Sequence, residues 1–396
     1  MAGSGSILLR TDKGVEDITP FVSGFTYRNS LLRGCTRWRL SFETPQWDFW
    51  KTLMIGSGLV FQVQVAGLRD GRTETSPWMS LVVDLSDGDL DSVRLRGMIE
   101  GGGPELGMMN QDNRRAFVNT TAGQVLRRIA AEYSLAAKIP PSTEISSWYQ
   151  INETDWDFVN DVLEDYIPAQ NARGDAFLNV SEGALNVVTI NYAAPSVRKY
   201  DLTDGDDRVP KVRFRYYGGQ VARSGVVVEA RGFNRATGTA ASYKADPQTA
   251  PGTALADRLP QSLASKKKVV LSASGEVETL RALAIREQAK FARRYFGIEV
   301  KALNDLSIRL GDMIEVSAKD EKGEMVFTAG RYGVFEYYLV YSLQAVYSKI
   351  IGYRQESYAG PVPATGAPAS ASSGIDRYRQ GRTNVQPVVK TAVPTG

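Results

Sequence analysis

Gln150-Ile151-Asn152-Glu153-Thr154-Asp155-Trp156-Asp157-Phe158-Val159 is the stretch on which the reading of this chain turns. A helix is expected to start at Thr154, with Asp155 and Asp157 in its first turn, where the helix dipole favours carboxylates. Phe158, Val162 and Tyr166, with Val159 and Leu163, form its apolar face, and Pro168 closes it. Upstream, Thr121-Ala122-Gly123-Gln124 has the form of a capping box, with Thr121 at the N-cap and Gln124 reaching back. Val125, Ile129 and Tyr133 then line one helical face, beside Leu126 and Ala130, until Pro140-Pro141 ends the unit. Downstream, residues 177–180 and 185–190 read as two short strands joined through the hairpin signal Glu182-Gly183.

On either side of this helical region the apolar period is two, the mark of half-buried strands. Trp38, Leu40 and Phe42 alternate with Arg37, Arg39 and Ser41; Leu59, Phe61, Val63 and Val65 share a face; Val93, Leu95 and Ile99 oppose Arg94 and Arg96. Asp70-Gly71 and Asp87-Gly88 read as hairpin turns, and Gly101-Gly102-Gly103-Pro104 as a loop. Beyond 210, residues 226–228 and 269–271 are β-branched runs, and 235–265, rich in Ala, Thr, Ser and Pro, reads as an extended loop. A long helix is expected over 276–296, stopped by Gly297, followed by strands at 298–303, 313–316, 324–328 and 332–347. Gly58 to Val63 and Gly311 to Val316 each place a glycine before an alternating strand, a faint internal echo.

Composition excludes several kinds of chemistry. The 396 residues, 43% apolar and 23% charged, are enough for about two or three soluble domains. There is no histidine, which removes imidazole bases, Ser-His-Asp triads and HExxH zinc sites. The single cysteine, Cys35, allows no disulfide within the chain and no thiolate cluster, and reads as a small core residue. The net charge of +3 resides in residues 359–396, where Arg377, Arg379, Arg382 and Lys390 face only Asp376. The rest is neutral, unlike a dedicated nucleic-acid binder. Residues 1–14 lack the shape of a signal peptide, and the most apolar run, 337–351, is too short for a membrane span. A soluble protein made in the cytoplasm is expected.

Candidate sites each have a plainer reading. Glu153, Asp155, Asp157, Asp161, Glu164 and Asp165 could supply paired carboxylates for glycoside hydrolysis, but apolar residues interleave at helical spacing, so most must face outward. Lys266-Lys267-Lys268 reads as a solvated loop run rather than a phosphate contact. Trp38, Trp47, Trp50 and Trp78 read as packing residues rather than a sugar platform. The triple glycine lacks the Lys-Ser/Thr of a phosphate loop. No catalytic, cofactor-binding or metal-ligating residue is assigned.

The segments 121–133, 150–159 and 184–187 resemble the central region of phage tail baseplate hub proteins, including late-control D proteins and the hub portion of type VI secretion spike proteins. In that family a capped helix precedes a Q-x-N-E-S/T-D-x-x-F stretch, a helix and a short hairpin. The helix 276–296, the strand 298–303, the run Leu310 to Val316 and Gly330-Arg331-Tyr332-Gly333-Val334 look like the family's second tube-like domain. The chain departs from the family in lacking a late-strand histidine and in continuing into no spike.

The resemblance implies an α+β, mainly β fold: two tube-like β-barrel domains with packed helices, an α/β insert and a flexible C-terminal tail. The expected boundaries are 1–116 for the first tube-like domain, completed by about 197–223, then 117–196 for the insert, 224–358 for the second tube-like domain and 359–396 for the tail. The implied function is a structural, homotrimeric hub joining a six-fold tail tube to a three-fold spike in the virion baseplate of an injection machine. Its implied partners are the tail tube or tube-terminator protein and a separate spike, with tape measure and baseplate wedge proteins beyond them. No membrane is involved, and DNA at most passes through the lumen. The alternatives are a tail-associated peptidoglycan hydrolase and a tail-tube or adaptor protein. In the tail, rich in Pro, Gly, Ala and Ser, the expected partner-binding residues are Ile375, Tyr378, Arg379, Val388 and Val389, with Val385 beside them.

Overall fold

A computed structural model describes residues 5–11, 14–32, 36–45, 60–69, 71–90, 94–142, 145–164, 166, 176–191, 194–202, 211–216, 227–234, 238–245, 267–271, 275, 277–281, 283–284, 287, 296–319, 330–342 and 345–353. The expected strand at 324–328, Cys35, Trp47, Trp50, Asp165 and the tail residues Ile375, Tyr378, Arg379, Val385, Val388 and Val389 lie outside them.

The first eight strands are β1 (Ser6–Thr11), β2 (Gly14–Asp17), β3 (Val22–Ser30), β4 (Arg37–Thr44), β5 (Val60–Arg69), β6 (Arg72–Thr75), β7 (Met79–Leu90) and β8 (Leu95–Gly102). The middle of the chain holds α1 (Leu106–Met109), β9 (Asp112–Thr121), α2 (Ala122–Glu132), β10 (Ala136–Lys138), β11 (Ile145–Thr154), α3 (Asp155–Glu164), β12 (Ala176–Ser181) and β13 (Ala184–Thr189). Then come β14 (Arg198–Asp201), β15 (Lys211–Tyr216), β16 (Val227–Asn234), β17 (Thr239–Ala245), β18 (Lys267–Leu271), helical residues at 277–281, 283–284 and 287, β19 (Phe296–Leu303), β20 (Met313–Ser317), β21 (Gly330–Ser342) and β22 (Val346–Tyr353). The fold is α+β, mainly β. Among the described residues no helix is long and apolar enough to cross a membrane.

One 14-stranded sheet runs β15-β19-β22-β21-β3-β4-β8-β7-β5-β1-β2, with β6 on β5, β20 on β21 and β14 on β20. Its two halves meet where β21 pairs with β3, from Glu336 opposite Ser30 to Ser342 opposite Gly24. The predicted alternation is realised here. Trp38, Leu40 and Phe42 of β4, Phe61, Val63 and Val65 of β5, and Ile298 and Val300 of β19 all turn into one core. Each such fully buried large side chain contributes about 1.5–3 kcal/mol. A second core joins α2 and α3 to β9–β13 and holds Val125, Ile129, Phe158, Val162 and Tyr166, the apolar faces read from sequence. A third, smaller cluster packs Leu280, Leu283 and Ala284 on Val228, Ala230 and Tyr243 of the sheet β17-β16-β18.

Local signals were realised unevenly. The Thr121/Gln124 capping box is present in both directions. Glu182 and Gly183 both have positive φ, 53° and 71°, as a tight hairpin between β12 and β13 requires. Asp87-Gly88, however, lies inside β7, opposite Met98 and Gly97, because the hairpin comes three residues later, past Leu90. Gly101 and Gly102 belong to β8 rather than a loop: a Cβ on Gly101 would stand 1.9 Å from the Val82 carbonyl oxygen. Part of the expected loop at 235–265 is β17, which pairs with β16 and buries Tyr243. Gly297 sits within β19, not at a helix end. The expected single strand 332–347 is two strands, turned where the Ser342 amide donates to the Ala345 carbonyl at 3.0 Å.

The middle segment docks on the large sheet through a bulge. Phe335 is an extra residue on β21, between Val334 opposite Gly352 and Glu336 opposite Ile351. It packs edge-on against Phe177 at 5.3 Å and Tyr353 at 5.1 Å. Beside it the Asn179 amide donates to Asn29 Oδ1 at 2.8 Å, so the contact is both apolar and polar-specific.

Candidate assembly surfaces

The stretch 150–158 has a physical explanation. Asn152 has φ 51° and forms a bulge, since Ile151 faces Arg114 while Glu153 already faces Asn113. Asparagine tolerates this left-handed conformation better than most residues. Thr154 Oγ1 then accepts the Asp157 amide at 3.0 Å and starts α3. Asp155, which sequence alone placed with outward-facing carboxylates, is instead fully buried. It accepts from Arg115 Nη2 at 2.5 Å, Tyr133 Oη at 2.6 Å, Gln150 Nε2 at 2.7 Å and Asn113 Nδ2 at 3.0 Å. Gln150 Oε1 in turn accepts Arg115 Nε at 2.8 Å, and Arg115 also pairs with Glu132. Burial alone would raise the Asp155 pKa, but the hydrogen bonds from Tyr133, Gln150 and Asn113 and the Arg115 charge hold it below the usual carboxylate value. Asp157 is exposed and Asp161 half-buried, so these carboxylates do not converge on a substrate. Asp155 is a fastener between the β9–β11 ribbon and the two helices.

A second fastener holds the two halves of the large sheet. Asp305, fully buried after β19, accepts Tyr200 Oη at 2.5 Å and Arg198 Nε at 3.0 Å, and pairs with Arg69 Nη1 at 2.8 Å. Arg198 also pairs with Glu74 and donates to Ser307 Oγ at 2.8 Å, while Asn304 Nδ2 reaches the Leu68 carbonyl at 2.7 Å. Burial, then the Asp305 charge, pushes the Tyr200 pKa up. Sequence reading missed this set, because Arg69, Arg198 and Asp305 are scattered along the chain and share no motif.

Glu105 is also buried, where the chain leaves β8. Its Oε1 accepts the Thr36 amide at 2.5 Å, and burial raises its pKa to about 7 against that bond and the Arg37 charge. A Cβ on Gly103 would stand 2.2 Å from Glu105 Oε2, so a larger residue there would displace this carboxylate. Of the tryptophans, Trp38 is buried against Phe61, and Trp78 lies under the Arg10 guanidinium at 4.0 Å, so no sugar platform forms from them. The described residues hold no group of three or more Cys, Asp or Glu placed to bind a metal.

The sheet face turned away from the core is charged in rows. Lys211, Lys301, Lys349, Tyr338, Arg28 and Arg37 stand directly opposite one another in turn across six strands. Lys301 Nζ rests over the Tyr347 ring at 3.8 Å and Lys349 Nζ over Tyr338 at 4.0 Å, while Arg28 pairs with Glu336 at 3.2 Å. The row ends at β15, whose far side is unpaired among the described residues and exposes Lys211, Arg213 and Phe214. At the other end, β5 takes only Met79 to Val82 of β7. The remainder of β7 pairs with β8 alone and exposes Asp84, Leu85, Asp87 and Asp89.

No protein-family model matches the chain, and no curated protein does. Solved structures match over nearly all of it. A tail protein from Neisseria meningitidis MC58 aligns with TM-score 0.61 and 12% identity, over 89% of this chain and 97% of that one. The 43 kDa tail protein of prophage MuSo2 from Shewanella oneidensis aligns with TM-score 0.56 and 10% identity, over 88% and 97%. An Escherichia coli type VI secretion component, described as similar in structure to the T4 tail proteins gp27 and gp5, aligns with TM-score 0.50 and 12% identity, over 87% and 76%. At these identities the likeness is one of fold.

Proposed function

We propose that the chain is a structural hub of a phage tail or phage-like injection machine, a homotrimer joining a six-fold tail tube to a three-fold spike in the baseplate. The observation that carries the reading is the end-to-end match of its fold to two tail proteins, each covered over 97% of its length. In this reading residues 1–116 with 197–223, and 224–358, supply two similar tube-like units, and 117–196 is an insert beside them. Three copies then present six similar units to the tube and three-fold symmetry to the spike. Residues 359–396 serve as an arm for a partner, through Ile375, Tyr378, Arg379, Val388 and Val389.

The role is assembly rather than catalysis. The acidic residues that would serve a peptidoglycan hydrolase are divided between a saturated buried Asp155 and an exposed Asp157. Light scattering on the purified chain tests the reading: a mass three times that of the 43.4 kDa chain supports it, and a monomer at all concentrations refutes it. Release of fragments from cell-wall preparations, lost in Glu153→Gln, would establish the hydrolase instead.

A further inference from the structure

The middle segment is attached to the large sheet at two places, and one buried polar chain joins them. The first place is where the chain leaves β8. Leu106 of α1 lies on Gly102, where a Cβ would stand 2.8 Å from Leu106 Cγ, and Met108 is buried in the second core. Glu105 immediately precedes them and has no exposed surface. The second place is the Asn179–Asn29 hydrogen bond beside Phe335. Between the two, the Thr36 side chain hydrogen-bonds both Glu105 and Tyr27, and Asn29 Nδ2 donates to Tyr27 Oη at 3.1 Å. The order Glu105, Thr36, Tyr27, Asn29, Asn179 therefore runs from one attachment to the other, and every residue in it is buried.

The setting of Glu105 suits a carboxylic acid rather than a carboxylate. Its Oε1 accepts the Thr36 amide at 2.5 Å, but Oε2 is buried with no hydrogen-bond partner among the described residues. A neutral carboxyl tolerates this, whereas a buried carboxylate needs donors or a cation for both oxygens. From β3 it is faced by Tyr27, whose own ionisation burial and Glu105 both oppose. From β4 comes the Arg37 charge, but Arg37 is exposed and alternates with the buried Trp38. β8 brings Gly101 and Gly102, and its Glu100 is paired with Arg39. α1 has no ionisable side chain, and the Tyr133 ring beside its Gly107 is bonded to Asp155.

We propose that Glu105 is a proton-operated latch: protonated, it keeps both attachments of the middle segment closed, and loss of its proton as pH rises releases them together. Every group in the latch belongs to one chain, so it stands apart from the assembly reading. The closed joint holds the proton up to about pH 7, and a solvated glutamate only to about 4.5. Opening is therefore unassisted below pH 4.5, becomes about tenfold easier per pH unit between the two values, and gains little above 7.

Hydrogen exchange of the full chain, read by mass spectrometry at pH 5, 6, 7 and 8, tests the latch, with each segment's rate divided by the intrinsic rate at that pH. Segments 103–109 and 177–181 should both lose protection by about tenfold or more from pH 5 to 7 and change little from 7 to 8, while β19 and β22 keep theirs. Glu105→Gln, neutral throughout, should flatten the dependence in both segments. Thr36→Val, which removes the bridging hydroxyl, should keep it in 103–109 and abolish it in 177–181, a split that a merely structural carboxyl would not give. Equal protection of 103–109 at pH 5 and 7, or a pH dependence that survives in Glu105→Gln, would overturn the latch. So would a loss shared equally by β19 and β22. A loss confined to 103–109 in the native protein, or a 177–181 segment still responsive in Thr36→Val, would overturn the joint release. Should Glu105→Gln fail to fold, the native comparison of the two segments with β19 and β22 decides alone.

Discussion

Asp305→Ala removes one carboxylate and disturbs three side chains at once. The Tyr200 hydroxyl, in a fully buried side chain, loses its acceptor at 2.5 Å, and Arg69 and Arg198 lose their shared counter-charge. An unsatisfied buried hydroxyl costs about 1–3 kcal/mol, and breaking a buried ion pair from one side about 3–5 kcal/mol. Arg198 keeps Glu74 and Ser307 and is 29% exposed, which limits its share. The expected loss is therefore about 3 kcal/mol, near the lower end of that range. Asp305→Asn, which keeps an acceptor for Tyr200 without the charge, should lose less. Urea unfolding followed by tryptophan fluorescence reads the effect, and a loss of this size lowers the midpoint by about 1 M or more. If Asp305→Ala stays within about 0.5 kcal/mol of the native protein, as an ordinary surface change would, the carboxylate is not a fastener between the sheet halves.

Glu105 is favoured in its neutral form, with a pKa of about 7 against an ordinary 4.5. Its contribution is whole below about pH 4.5 and is lost as pH rises through 7, a change of about 3 kcal/mol. Glu105→Gln should therefore gain on the native protein between pH 5 and 8 in paired denaturation curves, and a pH-independent difference would contradict the burial argument. Gly101→Ala places a methyl against the Val82 carbonyl oxygen and should cost about 1–3 kcal/mol, read as a lowered melting temperature; an unchanged one would show that β8 shifts freely. Deleting residues 361–396 should leave the melting temperature unchanged and weaken capture of a tail partner in a reconstitution assay, whereas full capture would remove the arm from the account.

The alternating strands and both amphipathic helices were legible because their period is local: each apolar residue marks its own face. The capping box at Thr121 and the hairpin at Glu182-Gly183 were legible for the same reason, since the chemistry lies within four residues. Asp87-Gly88 misled because Gly also fits inside a strand, here opposite Gly97. β17 was missed because Ala and Ser carry little strand signal until β16 supplies a partner. Asp155 was noticed, but its first-turn position explained it too cheaply. The four donors that make it buried come from β9, β11 and the residue after α2. The Asp305 set depends on residues brought together from across most of the chain, and no local pattern encodes it.

The most direct test of the account is a cryo-electron microscopy reconstruction of the full chain without imposed symmetry. The account predicts three copies closed into a ring, with six similar barrel units around it. A monomer, or six identical chains contributing one unit each, would contradict it.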